Sequence, residues 1–408
     1  MKLVVVCPHF APDIAPTGTV MTRIVAELAS RGHELHVITA LPWYREHAIE
    51  EGWESKLWRT EKTTWGSITR VNPFPGKSKS NLLRRALGFL AFSVLVAWRG
   101  LFAGGALSRI DGVLAMSPPL TLGMTGRLIT AVRGGRLVFN IQDVFPDAAV
   151  TTGAIRHPLI IAVAEWLERL SYRVSDSVVV LSDDLAENVR AKMKPTRRDR
   201  VTVVPNFVDT QAIVPSSRMT LYRTELGIAN EIVVMYAGNV GYSQSLDMVL
   251  DVAHSMPSVT FVINGDGSAR AHLESSAKGC TNVKFVGYQP LERLSEVLAT
   301  GDIHLVPLRS GLARVSVPSK TYSIMAASRP VLASIDPDTE IPRLIERAGA
   351  GVCVGPDDTD ALRSALTQLV ESAELRTALG NGGRAWVERH ASPTAVAVAY
   401  EGLFTPDR

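Results

Sequence analysis

Three cationic side chains, Arg309, Arg314 and Lys320, lie among small residues in the stretch GDIHLVPLRSGLARVSVPSKTYSIMAASRPVLAS, from Gly301 to Ser334. Cations grouped in this way suit a phosphate or diphosphate. The apolar run Ile303 to Pro307 reads as a buried parallel strand closed by proline. Val317-Pro318-Ser319 then leads into the helix-like run Thr321 to Ala327, and Arg329-Pro330 introduces a second strand, Val331 to Ser334. A strand, a loop and a helix start aim unpaired N–H groups and a positive dipole end at one spot. The pattern equally suits an ordinary βα connection with solvated arginines, and spacing alone favours that plainer reading.

The elements that would position such a site recur along the chain. Ile232–Ala237 reads as a strand with Gly238-Asn239-Val240-Gly241 as its phosphate-facing loop, and Gln244 to Asp247 enters a helix. Val259–Ile263 leads into Asn264-Gly265-Asp266-Gly267, with Arg270 one helical turn on; Val283–Val286 ends at Gly287-Tyr288. In the first half, Leu3–Val6 runs into the loop Pro8 to Gly18, a helix over about Thr19–Ser30 and a strand over Glu34–Thr39. The strand at Asp111–Ala115 ends at Met116-Ser117, which places Ser117 where parallel sheets hold their ligands. Further strands are expected at Arg136–Ile141, Val178–Leu181 and Val201–Val204, with Ser182 capping a helix. Leu41 to Lys79, polar and rich in Trp, Pro and Lys, reads as irregular structure. This alternation predicts an α/β chain of two doubly wound domains. The absence of GxGxxG argues against a nicotinamide site.

Composition agrees. A chain of 408 residues exceeds one ordinary core, and 46% hydrophobic with 20% charged residues describes a globular protein. A net charge of +3, with no basic run carrying interleaved aromatics, gives no nucleic-acid footprint. Cys7, Cys280 and Cys353 are widely spaced, which points to reduced thiols in a cytoplasmic protein. The opening apolar run is too short for a signal peptide. The longest apolar run, Ala86 to Trp98 between Arg84, Arg85 and Arg99, falls short of a membrane span. It suits either a helix on a membrane surface or one packed on the sheet.

The segment VPLRSGLARVSVPSKTYSIMAASRP resembles the donor-binding segment of the retaining family 4 glycosyltransferases, most closely the bacterial surface-polysaccharide subgroup of N-acetylfucosamine and fucose transferases. The loop around Thr17-Gly18 and Glu34 resembles the family's FxPxxGG…RGHEV opening, and Gln142 to Asp147 its (Q/R)DLWPES motif. Pro205-Asn206-Phe207-Val208-Asp209 resembles PNGVD, which closes the first domain, with Phe207 in place of glycine.

The resemblance implies a GT-B architecture, two Rossmann-like domains facing across a cleft. The expected domains are 1–209, joined by a crossover helix at about 390–408, and 221–389, with a linker near 210–220. Implied donor contacts are Gly18, Asn239, Gly241, Gly265, Arg270, Val286, Arg309, Ser319, Lys320 and Ser323. Asp143 and Asp147 are the carboxylates expected to orient or deprotonate an acceptor hydroxyl, though Asp147 equally suits a helix cap; Ser117 lies on the acceptor side. Gln142 stands where many relatives carry histidine. Asn239 and Gln244 replace the arginine and lysine that usually grip the diphosphate, so Arg309 and Lys320 are expected to supply that charge. The family's paired glutamates fall at Val315 and Ser323, and both are absent.

The implied activity is transfer of a hexose-type sugar, with retention, from a UDP-linked donor to a polyprenyl-linked saccharide at the inner face of the cell membrane. No metal or other cofactor is expected, since no DxD motif or ligand cluster is present. Two rivals stand beside it: a nucleotide-sugar epimerase of similar fold, and a non-catalytic nucleotide-binding relative prompted by Ser323.

Overall fold

The computed structural model describes the chain except residues 14, 45–47, 54–56, 75–81, 143–145, 148–156, 314–317 and 406–408, and describes only the backbone of 16 and 82–87. The chain forms two compact units, Met1–Asn206 with Pro393–Arg408, and Phe207–Ser392.

The first unit is built on β1 (Lys2–Val6), β2 (Glu34–Ala40), β3 (Trp58–Thr63), β4 (Gly66–Val71), β5 (Gly112–Ser117), β6 (Arg136–Ile141), β7 (Ser177–Val180) and β8 (Val201–Val203). They lie in the order β3-β4-β2-β1-β5-β6-β7-β8, all parallel except β3. β1 and β5 are buried along almost their whole length, as strands covered on both faces must be, which is why their sequences are continuous apolar runs. The β3–β4 hairpin corrects the expectation of irregular structure over Leu41–Lys79. β3 is an edge strand, WRTEKT, polar throughout after Trp58 and without an apolar alternation to mark it. Its partner begins at Gly66, where φ is +146° and a Cβ would sit 2.0 Å from the Leu35 carbonyl oxygen, so only glycine fits.

Helices α1 (Pro16–Ser30), α2 (Leu82–Phe102), α3 (Thr121–Arg133), α4 (Pro158–Val174) and α5 (Asp183–Ala191) flank this sheet. α1 starts three residues before the expected Thr19, because proline is tolerated in a first turn whose N–H groups lack partners. Ser182 caps α5 as expected, accepting from the Leu185 amide at 3.2 Å.

The second unit carries β9 (Val233–Ala237), β10 (Thr260–Asn264), β11 (Val283–Val286), β12 (Ile303–Pro307), β13 (Val331–Ser334) and β14 (Gly351–Val354). Its sheet is wholly parallel, ordered β11-β10-β9-β12-β13-β14. Its helices are α6 (Leu221–Glu225), α7 (Leu246–Ser255), α8 (Arg270–Ser276), α9 (Leu294–Thr300), α10 (Lys320–Ala326), α11 (Glu340–Ala348), α12 (Thr359–Glu371) and α13 (Ala373–His390). Residues 210–220, expected as a linker, belong to this unit. Arg384 of α13 donates to the carbonyls of Thr210 and Ile213 and fastens the segment down.

The final helix, α14 (Pro393–Phe404), returns to the first unit and packs on α1 and β6. Buried Tyr400 meets the Asn140 amide at 2.5 Å, and the Phe404 ring fills the space left by Gly112.

Candidate donor and acceptor sites

In the second unit the loops at the carboxyl ends of β9, β10 and β12 are tied into one another. The Gly238 amide donates to Asn264 and the Val240 amide to Asp266, so the two glycine turns lie in contact. A Cβ at Gly265 would stand 1.8 Å from the Gly238 carbonyl oxygen, which explains why the second turn opens on glycine. Asn239 and Gln244 are structural here: Gln244 Oε1 accepts from the Gly241 amide at 3.0 Å, and both side chains crowd the space beside Gly241. Arg270 is spent on the same scaffold. Its guanidinium donates to the carbonyls of Gly265 (2.5 Å) and Val286 (3.1 Å) and pairs with Glu274, holding two strand ends together.

Lys320 differs. Its Nζ lies 3.8 Å from the centroid of the Tyr236 ring and would be 2.7 Å from a Cβ at Gly238. Among the described residues no carboxylate pairs with it. Burial pulls the ammonium down from its ordinary 10.5 to about 7. The Lys320 side chain thus lies against the Gly238 turn with a lowered proton affinity. Arg309 reaches the same loop: its amide donates to the Ser243 carbonyl at 2.9 Å, and its half-exposed guanidinium stands 4.0 Å from Asp247. Ser319 is exposed at the start of α10, and Ser323 is half-buried one turn on, its hydroxyl unbonded among the described residues. Arg314 and Val315 lie outside the described residues.

Sequence reading missed the carboxylates that shape this loop. Asp336 accepts from the amides of Gly311 (3.0 and 2.8 Å) and Ala313 (3.3 Å), while Asp357 accepts from the Ser310 amide (3.2 Å) and the Ser245 hydroxyl (2.5 Å). Both follow later strands, at separations no local motif marks.

In the first unit, Gly18 packs against the loop after β1; a Cβ there would lie 2.9 Å from that of His9. Ser117 ends β5 as expected, but its side chain is wholly enclosed and its hydroxyl has no partner among the described residues. Asp147 is engaged: its Oδ2 accepts from Lys192 Nζ (2.8 Å) and Asn188 Nδ2 (2.9 Å). Burial raises its carboxyl, but those two bonds outweigh burial and leave it below the usual carboxylate value. Lys192 also binds buried Glu168 at 2.8 Å, so partly exposed Asp147 joins an ion network anchored on a buried carboxylate. Asp143 lies outside the described residues. Gln142 is fully committed, donating to Asn140 at 2.6 Å and accepting from Asn206 at 3.2 Å. The loop after β1 also holds an imidazole and a carboxylate together, His9 Nδ1 standing 2.7 Å from Asp13 Oδ2.

Comparison with known proteins fits both units. Residues 17–206 match the glycosyl transferase 4-like domain and residues 231–372 match glycosyl transferases group 1. The chain is 27% identical over 382 residues to the putative colanic acid biosynthesis glycosyl transferase WcaI of Escherichia coli K12, spanning 90% of this chain and 92% of that protein. Among solved structures, sucrose-phosphate synthase from Thermosynechococcus elongatus aligns over 99% of this chain and 98% of its own, with TM-score 0.68 and 15% identity. Anabaena HepE in complex with UDP aligns over 98% and 99%, with TM-score 0.65 and 14% identity.

Proposed function

We infer that this chain, which belongs to the GT-B glycosyltransferases through its glycosyl transferase 4-like and group 1 domains, moves a hexose from a UDP-linked donor to a lipid-linked saccharide, with retention, in building a bacterial surface polysaccharide. The observation that carries the donor assignment is Lys320, a half-buried ammonium without a carboxylate partner among the described residues, set against the Gly238 turn. A departing diphosphate needs compensation for developing charge, which Lys320 and Arg309 supply in this reading. The UDP in the HepE complex supports the choice of nucleotide, and the biosynthetic name of WcaI supports the product class. The nucleotide sugar is the substrate, and the reading invokes no resident cofactor or metal.

On the acceptor side, Asp143 is the carboxylate proposed to orient the incoming hydroxyl. Asp143→Asn should lower turnover by roughly 10²-fold with UDP affinity unchanged. The acceptor's lipid would hold the protein at the inner face of the cytoplasmic membrane. In support, α2 packs on α3 and α3 on α4, and the three helices leave Leu90, Val94, Trp98, Leu128, Val132 and Trp166 exposed among the described residues. No described helix is long and apolar enough to cross a membrane.

Thermal unfolding in the presence of a panel of nucleotide sugars tests the reading. A UDP-hexose should raise the melting temperature by mass action, about 2.7 kcal/mol of stabilisation at a hundredfold excess over Kd. A panel with no stabilising member would count against it.

A further inference from the structure

We propose that Asp357 is a positioning residue for the donor: it ties the loop that carries Arg309 to the start of α7, and so holds Arg309 where its guanidinium meets a diphosphate. The role rests on the glycosyltransferase reading above and falls to a residue that no motif of the sequence singled out.

Asp357 lies three residues past the end of β14, the edge strand of the second sheet. Its two carboxylate oxygens serve two different loops. Oδ2 accepts from the Ser310 amide at 3.2 Å, in the loop after β12. Oδ1 accepts from the Ser245 hydroxyl at 2.5 Å, where the chain enters α7 after β9. In the sheet β13 stands between β14 and β12, so the carboxylate reaches over an intervening strand to join loops distant in sequence. Arg309 itself is fixed on its other flank, its amide donating to the Ser243 carbonyl at 2.9 Å. A long flexible side chain is aimed by the backbone that carries it, and here that backbone is pinned at two successive amides. The Arg309 guanidinium stays half-exposed, 4.0 Å from Asp247.

The bond between Ser245 and Asp357 is kept against two costs. Both residues take left-handed backbone, φ +41° at Ser245 and +57° at Asp357, which a residue with a Cβ adopts only against steric repulsion. Ser245 also stands at the N-cap of α7, where a serine hydroxyl ordinarily accepts from a first-turn amide. It makes no such bond, its hydroxyl being given to Asp357.

An ordinary cap or loop clamp explains Asp357 less well. The cap of α12 is the neighbouring Asp358, which accepts from the Ala361 amide at 2.9 Å. The loop after β12 has its own clamp in Asp336, which takes the Gly311 amide at 2.8 Å and the Ala313 amide at 3.3 Å. What Asp357 adds is the link from that loop to α7. Ser245 is 5% exposed, so without Asp357 its hydroxyl would lose the only hydrogen-bond partner it has among the described residues.

The test measures UDP affinity of the full chain by titration calorimetry, with thermal unfolding of the ligand-free protein alongside. Asp357→Gly removes the carboxylate and takes φ +57° without strain, so its melting temperature should stay within about 3 °C of wild type. Its UDP Kd should weaken about tenfold, the loss expected when two coupled groups are parted. Asp357→Asn tolerates the left-handed backbone and keeps one acceptor, and should fall between the two. A double-mutant cycle separates positioning from mere support. In an Arg309→Met background, Asp357→Gly should weaken UDP binding by less than about twofold, because the group it positions is gone. An equal loss in both backgrounds overturns the proposal, as does a UDP Kd for Asp357→Gly within about twofold of wild type; either result leaves the transferase reading intact. Should Asp357→Gly fail to fold, Ser245→Gly decides by the same cycle, since it keeps the left-handed turn and removes the other half of the bond. A wild type without measurable affinity for UDP overturns the donor reading itself, and the role of Asp357 with it.

Discussion

Replacing Lys320 is the perturbation whose consequences follow most fully from the structure. Burial holds its ammonium at about 7, so about nine tenths of the chain carries that charge at pH 6 and about 3% at pH 8.5. If only the charged form binds a diphosphate, affinity for UDP-glucose should fall about 30-fold across that range, since the ligand's own charge is constant over it. Lys320→Met should lose about 1.5–3 kcal/mol at pH 6, the worth of a charge-assisted hydrogen bond, and bind with little pH dependence. Lys320→Arg, charged throughout, should flatten the pH profile without abolishing binding. The stability effect runs the other way. The unfolded chain keeps this proton up to about 10.5 and the folded chain only up to about 7, so folding is penalised below pH 7 and the penalty fades as pH rises from 7 to 10.5. Lys320→Met should therefore melt higher than wild type, most clearly below pH 7. Titration calorimetry in buffers of different ionisation enthalpy checks the coupling, since binding above pH 7 should take up a proton. Wild-type affinity that is flat from pH 6 to 8.5, or a methionine variant that binds like wild type, would refute the argument.

Asp336→Asn should weaken UDP binding several-fold by loosening the 310–313 loop, because the amide can accept from fewer of the backbone N–H groups the carboxylate now holds. Wild-type UDP affinity would show that the loop is fixed without it. Ser323→Glu should tighten UDP binding by roughly 1–2 kcal/mol and sharpen preference for ribose over 2′-deoxyribose, since a charged acceptor replaces a hydroxyl. An unchanged ribose preference would place the sugar away from α10. Trp98→Ser with Trp166→Ser should reduce co-flotation with anionic liposomes at low salt; retention on the vesicles would remove this face from the membrane account.

The fold was legible where strands are buried on both faces, because runs such as Val4–Cys7 and Leu305–Val306 leave a continuous apolar record. It was illegible at β3, whose polar edge residues look like loop, and at 210–220, which is anchored by Arg384 from far along the chain. The site shows the same division. Gly18 and Gly265 were expected beside the donor, and the structure shows each closely approached by other parts of the chain, the His9 side chain and the Gly238 carbonyl. Arg270 and Asp147 have the charge their expected roles need, yet the structure gives their polar atoms to strand ends and to Lys192. Ser117 occupies the expected strand end, but its side chain turns into the core. Asp336 and Asp357 come from later strands to hold a loop, a juxtaposition made only by the sheet order.

The central claim is that this chain transfers a sugar out of a nucleotide diphosphate donor. Its most direct test follows UDP release from UDP-hexoses by ³¹P NMR, with and without a polyprenyl-diphosphate-linked hexose, and weighs the lipid product by mass spectrometry. The account predicts UDP appearing in step with a lipid one hexose heavier. A donor that stays intact, or that is isomerised with no acceptor present, would contradict it.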